Sequence, residues 1–136
     1  MILNSKVLGS SKKKIIILHG FLGSLDNWIT FSKKISENNF EVHLLDQRNH
    51  GKSFWSNQFS YSIMAEDIIN YCKYHKLEKV FILGHSMGGK VAMELACNYP
   101  HSLKALIIAD ISPKKYEPKY QKILKLEINS KIIVNG

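Results

Sequence analysis

Gly84-His85-Ser86-Met87-Gly88-Gly89 reads G-x-S-x-G. The apolar run Lys79-Val80-Phe81-Ile82-Leu83 leads into it, and Val91, Ala92, Leu95 and Ala96 follow at helical spacing. A serine between a strand and a helix, with glycines two residues to either side, suits a turn sharp enough to lift the hydroxyl above the sheet edge. The glycines let strand and helix approach without Cβ clashes. The first N–H groups of the helix then point outward beside the serine. The chemistry this arrangement supports is nucleophilic attack on an acyl carbon. A serine hydroxyl is a weak nucleophile and needs an adjacent base. The tetrahedral oxyanion needs preorganised donors, each worth roughly 10²–10³ in turnover. The same six residues also describe a glycine-rich strand-to-helix turn with an incidental serine. The flanking elements and the segments upstream favour the nucleophile.

Positioning that serine requires strands alternating with helices. Residues 15–18, Ile-Ile-Ile-Leu, form a short buried strand ending at His19-Gly20. A helix follows with Trp28, Phe31 and Ile35 on one face, stopped at Asn38-Asn39. Residues 41–45 are a second strand ending at Asp46, and the loop 47–57 is rich in Asn, Gly and Ser. Ser62 is a suitable cap for a helix carrying Met64, Ile68 and Cys72 at i, i+4 and i+8. Residues 80–83 are a third strand and 105–109 a fourth; the serine helix lies between them and is closed by Pro100. This alternation predicts an α/β domain with a parallel sheet. Sites in such sheets form beyond the carboxyl ends of the strands. Segments 19–23, 46–53, 84–88 and 110–112 meet that condition.

Together, LHGFLGS, LLDQRNHGKS and GHSMGGK resemble the α/β-hydrolase superfamily. Within it, Arg48-Asn49-His50-Gly51-Lys52-Ser53 paired with the 84–90 segment is similar to the YbfF-type small esterases and their mitochondrial relatives. The resemblance runs from about residue 15 to about residue 110. It implies hydrolysis of small carboxylic esters or thioesters through an acyl-enzyme, with no cofactor. Carried over by position, Ser86 is the nucleophile, the backbone N–H groups of Phe21 and Met87 are the oxyanion donors, and Asp110 is the acidic member of the triad. On the residues alone, a carboxylate that ends a strand is equally a helix cap or a solvated turn. Asp46 also ends a strand, and its expected work is to order the loop after it together with Arg48. The resemblance further implies a truncated hydrolase fold. Residues 1–112 would be the N-terminal part of the core and 113–136 the weakly structured start of a cap region, with the cap and C-terminal strands missing.

The base is harder to find. In this fold the histidine follows the acid in the chain, yet His101 is the one histidine after Ser86. It precedes the fourth strand and so belongs at the amino end of the sheet, about 16 Å away over a five-residue strand. His19 and His50 lie at the correct end and serve only if the usual arrangement is rebuilt. His85 points away from the serine by strand alternation. His43 and His75 read as ordinary core or surface residues. The chain is then one of two things: a serine hydrolase of the esterase type whose triad histidine is absent, or a catalytically silent fragment or binding module that keeps the fold. Residues 131–134 begin a strand at most, so the fourth strand is expected to be a sheet edge, open to a complementing chain.

Composition sets the remaining bounds. The chain has 136 residues, 45% of them hydrophobic, enough for one domain with a real core. Its net charge of +8 comes almost wholly from lysine, because Arg48 is the sole arginine. Base readout and bidentate phosphate contacts favour arginine, and the lysines are dispersed along the sequence, so no nucleic-acid partner is expected. Cys72 and Cys97 fall at core-like helical spacing and read as buried thiols in a reducing compartment. With no signal-like N-terminus and no long apolar run, the expectation is a cytoplasmic protein without a membrane partner. No His and carboxylate spacing marks a metal site.

Overall fold

The computed structural model describes residues 1–109 and the backbone of a strand at 132–135. Six strands form one sheet: β1 (Ser5–Leu8), β2 (Lys14–Leu18), β3 (Glu41–Leu45), β4 (Val80–His85), β5 (Leu103–Ala109) and β6 (Ile132–Asn135), in the order β1-β3-β2-β4-β5-β6. The expected parallel strands are present, with β2 central and paired to both β3 and β4. Two expectations need correction. The sheet is mixed, because β1 pairs antiparallel with β3. Ser5-Lys6-Val7-Leu8 carries too few apolar residues to announce a strand, since an edge strand buries little. And β5 is not a sheet edge: β6 pairs parallel with it from Leu106↔Ile132 to Ala109↔Asn135.

Helices cover both faces. Residue alternation along the strands divides the core in two. Ile16 and Leu18 of β2 pack with Ile82 of β4 against α2 (Tyr61–Tyr74) and α3 (Met87–Asn98). Ile15 and Ile17 face the other way, with Val42, Leu44 and Leu83, toward Leu25, Trp28 and α1 (Ile29–Ser36). A 3-10 turn, Leu25–Trp28, opens α1 with a capping box between Ser24 and Asn27. Asn39, in the left-handed region at φ 64°, follows the helix where Asn38-Asn39 is expected to stop it. The cap of α2 is Ser60, which accepts from the Ile63 N–H at 3.2 Å; Ser62 instead donates to buried Glu94 at 2.5 Å.

Cys72 is buried as expected, but Cys97 is exposed at the end of α3, so helical spacing overstates its burial. The lysines, dispersed along the sequence, converge in space. Lys12, Lys14, Lys76, Lys79 and Lys104 line a groove at the amino ends of the strands, remote from Ser86. No helix among the described residues is long and apolar enough to cross a membrane.

Ile82 is fully buried in β4 between two parallel neighbours. We expect Ile82→Ala to destabilise the fold by about 2–5 kcal/mol in chemical denaturation. Val7→Ala, on the edge at 45% exposure, should cost less than about 1 kcal/mol.

Candidate active site

Ser86 is the single residue between β4 and α3, with φ 51° and ψ −111°. A side-chain-bearing residue rarely adopts this conformation, which costs on the order of 1–3 kcal/mol unless its surroundings enforce it. The enforcement is visible. The Ser86 carbonyl accepts from the N–H groups of Gly89 (2.9 Å) and Lys90 (3.2 Å), and its own N–H reaches the Ala109 carbonyl at the end of β5 (3.3 Å). The glycines are required by close approach. A β-carbon on Gly84 would lie within 2.7 Å of the Gly89 Cα, and one on Gly88 would lie 2.8 Å from the His19 carbonyl oxygen and closer still to that of Leu18. Helix α3 thus packs backbone against backbone on β2 and β4.

The loop leaving β2 comes to the same place. A β-carbon on Gly20 would sit 3.4 Å from the Ser86 Cβ and 2.9 Å from the His85 Nδ1. Phe21 follows, so its backbone N–H and that of Met87 belong to the two segments that flank Ser86. Among the described residues neither amide has a hydrogen-bond acceptor.

The loop leaving β3 holds this segment in place. The Gln47 N–H donates to His19 Nε2 at 3.1 Å, and the Gln47 side-chain amide donates to the His19 carbonyl at 2.7 Å. Because Nε2 accepts, Nδ1 carries the proton and donates to the Gly20 carbonyl at 2.8 Å. His50 repeats the device: Nε2 accepts from the Leu22 N–H at 3.1 Å and Nδ1 donates to the Arg48 carbonyl at 2.9 Å. Asp46 accepts from the N–H groups of Leu25 (2.8 Å) and Lys52 (2.9 Å) and from the side-chain amide of Asn4 (2.8 Å). Gly51, at φ 52°, passes so close that a β-carbon there would fall inside the Asp46 carboxylate.

Burial holds the His19 imidazole below its ordinary value, only partly opposed by the Gly20 carbonyl. Burial pushes the Asp46 carboxyl upward, but the N–H donors of Leu25 and Lys52 outweigh it and hold the group below the usual range.

Asp46 orders its loop, as expected, but its partner is not Arg48. The guanidinium of Arg48 forms a buried two-point pair with Asp67 of α2, at 2.6 and 2.8 Å, and donates to the Gln58 carbonyl at 2.6 Å. Asn49, left-handed at φ 63°, exchanges two hydrogen bonds with Ser56. The 48–53 motif is therefore scaffolding for the loop beside Ser86.

All six histidines lie among the described residues. His19 and His50 commit both ring nitrogens to backbone. His43 is buried between Tyr71 (2.7 Å) and Glu41 (2.8 Å). His75 stacks near Tyr71 at the end of α2 and His101 lies in the turn before β5, both at the amino side of the sheet. The His85 ring lies 5.8 Å from that of Trp28 and beside Gly20. Asp110 lies outside the described residues. Among those described, no cluster of three His, Cys, Asp or Glu side chains could hold a metal. Sequence reasoning missed Gly20, Gln47 and the latch role of the two histidines; their position in the strand-end motifs was the available signal.

A family profile described as the alpha/beta hydrolase fold matches residues 13–126. A putative esterase/lipase of Haemophilus influenzae is 41% identical over 103 residues, covering 76% of this chain and 36% of that protein. A probable alcohol acetyltransferase of Wickerhamomyces anomalus is 36% identical over 124 residues, covering 90% of this chain and 36% of that protein. The solved structure of a marine microorganism esterase superposes with a TM-score of 0.80 at 44% identity, covering 91% of this chain and 48% of the other. The chain thus spans less than half the length of these relatives.

The geometry makes two measurable demands. Ser86→Gly should be more stable than Ser86→Ala by about 1 kcal/mol, since glycine relieves the strained φ; chemical denaturation of the two variants decides it. In an NMR titration, His19 should remain the Nδ1–H tautomer and protonate below its ordinary 6.5. Its folded value being depressed, its contribution to stability is full above that pH and is lost as the pH falls through the folded value.

Proposed function

The chain belongs to the alpha/beta hydrolase family, and from that premise we propose that Ser86 is the nucleophile of an esterase-type acyl-transfer site whose oxyanion half is built from residues of this chain. The observation that carries the reading is the strained Ser86 turn flanked by two backbone amides, Phe21 and Met87, that have no acceptor among the described residues. In the reaction, Ser86 Oγ attacks the carbonyl carbon of a small ester or thioester and gives up its proton to a base. The carbonyl oxygen becomes an oxyanion held by the Phe21 and Met87 N–H groups. Collapse expels the alcohol or thiol, reprotonated by that base, and leaves an acyl-Ser86 that water hydrolyses.

Asp110 is proposed as the acid that orients the base, because it follows β5 directly. The base is not assigned to His19 or His50. A ring nitrogen that already accepts a backbone N–H, as in His19 and His50, has no lone pair left for the serine proton. Loss of the base alone costs a serine hydrolase on the order of 10⁶ in turnover, as measured in another fold. Acyl transfer to an alcohol is the second reading, favoured by the alcohol acetyltransferase among the relatives. It uses the same acyl-Ser86, with an alcohol replacing water in the second step.

The test is covalent labelling. A fluorophosphonate should modify the chain slowly and only at Ser86, as located by peptide mass spectrometry, and Ser86→Ala should abolish the adduct. Turnover of p-nitrophenyl acetate should stay near background. Rapid turnover that survives Ser86→Ala, or labelling at another residue, would overturn the assignment. Ethanol added during turnover by any active form would divert product from acid to ethyl ester under the acyltransfer reading.

A further inference from the structure

At the end of the sheet opposite Ser86, a groove of about 850 Å³ gathers Lys12, Lys14, Lys76, Lys79 and Lys104. Three segments far apart in sequence supply them: the turn into β2, the turn from α2 to β4, and the start of β5. Lys14 is paired with Glu41 at 2.7 Å, and none of the other four has an ion-pair partner among the described residues. Glu78 is the one acid on the groove wall. Set against Glu41 and Glu78, the five lysines leave an excess of three positive charges. A cleft lined by one sign of charge focuses its field on counter-ions.

Lysines beside helix C-termini complement the carbonyl ends, which accounts for Lys76, just past α2. It does not account for Lys12, Lys79 and Lys104, which stand at or just before the starts of strands, where no comparable dipole exists. Lys104 is placed by a specific device. Val80 pairs with Leu103 and Phe81 with Ala105, so Lys104 is the extra residue of a β-bulge. A bulge bends its strand and re-aims a side chain. The turn that carries Lys12 is pinned as well: the Ser11 hydroxyl donates to the Asn39 carbonyl at 2.8 Å and accepts from the Lys13 N–H at 3.1 Å. We infer that this groove binds a compact, soluble polyphosphate, a diphosphate or longer carried on a small molecule. Lysine ammoniums are point charges that suit phosphate, whereas planar bidentate recognition of carboxylates uses arginine, and no arginine lines the groove. One phosphate monoester carries about −1.5 to −2 charges at neutral pH, so matching the excess takes more than one phosphate group. The volume falls in the range of small-molecule sites. The lysines converge on a concavity instead of running along a stripe, which is the footprint of a nucleic-acid strand.

Calorimetric titration of the full chain with inorganic phosphate, pyrophosphate and tripolyphosphate reads the site without catalysis. The expected result is saturable binding of pyrophosphate and tripolyphosphate, tighter than that of phosphate and weakened by added salt. Lys79→Ala and Lys104→Ala should each weaken it about two- to fivefold, and together about tenfold. Both side chains are exposed, so the fold tolerates their loss. Lys6→Ala removes the same charge from an exposed position on β1 outside the groove and should leave the affinity unchanged. Equal weakening by Lys6→Ala, which would reduce the effect to net charge, overturns the inference. So does the lack of saturation with either polyphosphate. Two further probes are phosphatidylcholine vesicles containing phosphatidic acid, read by sedimentation, and a single-stranded oligonucleotide. Binding to either that depends on Lys79 and Lys104, and that pyrophosphate does not compete away, would give this face to a membrane or a nucleic acid and overturn the assignment. Ser86→Ala should bind pyrophosphate as the unaltered chain does, so this inference and the role of Ser86 fail separately.

Discussion

Two unprotonated imidazole nitrogens hold the site end of this molecule together. The segment from His19 to Leu25 has no ladder of its own beyond β2, yet it lies against Ser86, where Gly20 approaches the Ser86 Cβ. Nε2 of His19 takes the Gln47 N–H and Nε2 of His50 takes the Leu22 N–H, tying the loop after β2 to the loop after β3 in both directions. Each accepting nitrogen works only in the neutral ring. Burial of His19 favours that state, because it penalises the charged form. Asp46 completes the tie through the Leu25 and Lys52 amides, and Gly51 is needed because nothing larger fits against that carboxylate. Removing His19 would therefore free the buried Gln47 donor, at a cost of about 1–3 kcal/mol, and removing His50 would free the part-buried Leu22 N–H; either change would loosen the loop.

Strain at Ser86 is the second constraint. A φ of 51° persists because α3 is pressed onto β2 and β4 at Gly84 and Gly88, where backbone meets backbone. Fully buried Ile16, Leu18, Ile82, Val91 and Ala92 surround that contact. Each large aliphatic side chain there contributes about 1.5–3 kcal/mol, which exceeds the strain of a single residue. The core opposes relaxation of the turn, and the latched loop fixes the groups that face it.

The period-2 and period-3.6 patterns made the parallel strands and the helices legible, because a buried parallel strand such as Ile15-Ile16-Ile17-Leu18 and an amphipathic helix such as α2 write their burial into spacing. The G-x-S-x-G turn was legible for the same reason: its glycines are demanded by local contact. The features that escaped were set by distant partners. Arg48 meets Asp67, nineteen positions away on another element. Ser60 rather than Ser62 caps α2, since Ser62 is drawn to Glu94 across the α2–α3 contact. The antiparallel β1 exists because β3 offers it an edge. His19 and His50 carry the types and location of candidate bases, and only the hydrogen-bond geometry reveals them as acceptors of backbone donors. Spacing cannot distinguish a histidine that awaits a proton from one already holding an amide.

The sheet order also decides how the described residues can contribute to chemistry. Ser86 and the Phe21 and Met87 amides belong to the segments that leave β2 and β4. In the proposed reading the acid is Asp110, the residue that follows β5 in the sequence. Preorganised donors act independently of the base, because they stabilise charge on the carbonyl oxygen whatever group removes the serine proton. In another fold, a site stripped of its triad keeps roughly 10³–10⁴ of rate over water from the oxyanion hole and binding alone. Under the proposed function, an oxyanion half tied down by His19 and His50 is therefore chemically meaningful in its own right. Such donors would polarise a bound carbonyl whatever group removes the serine proton.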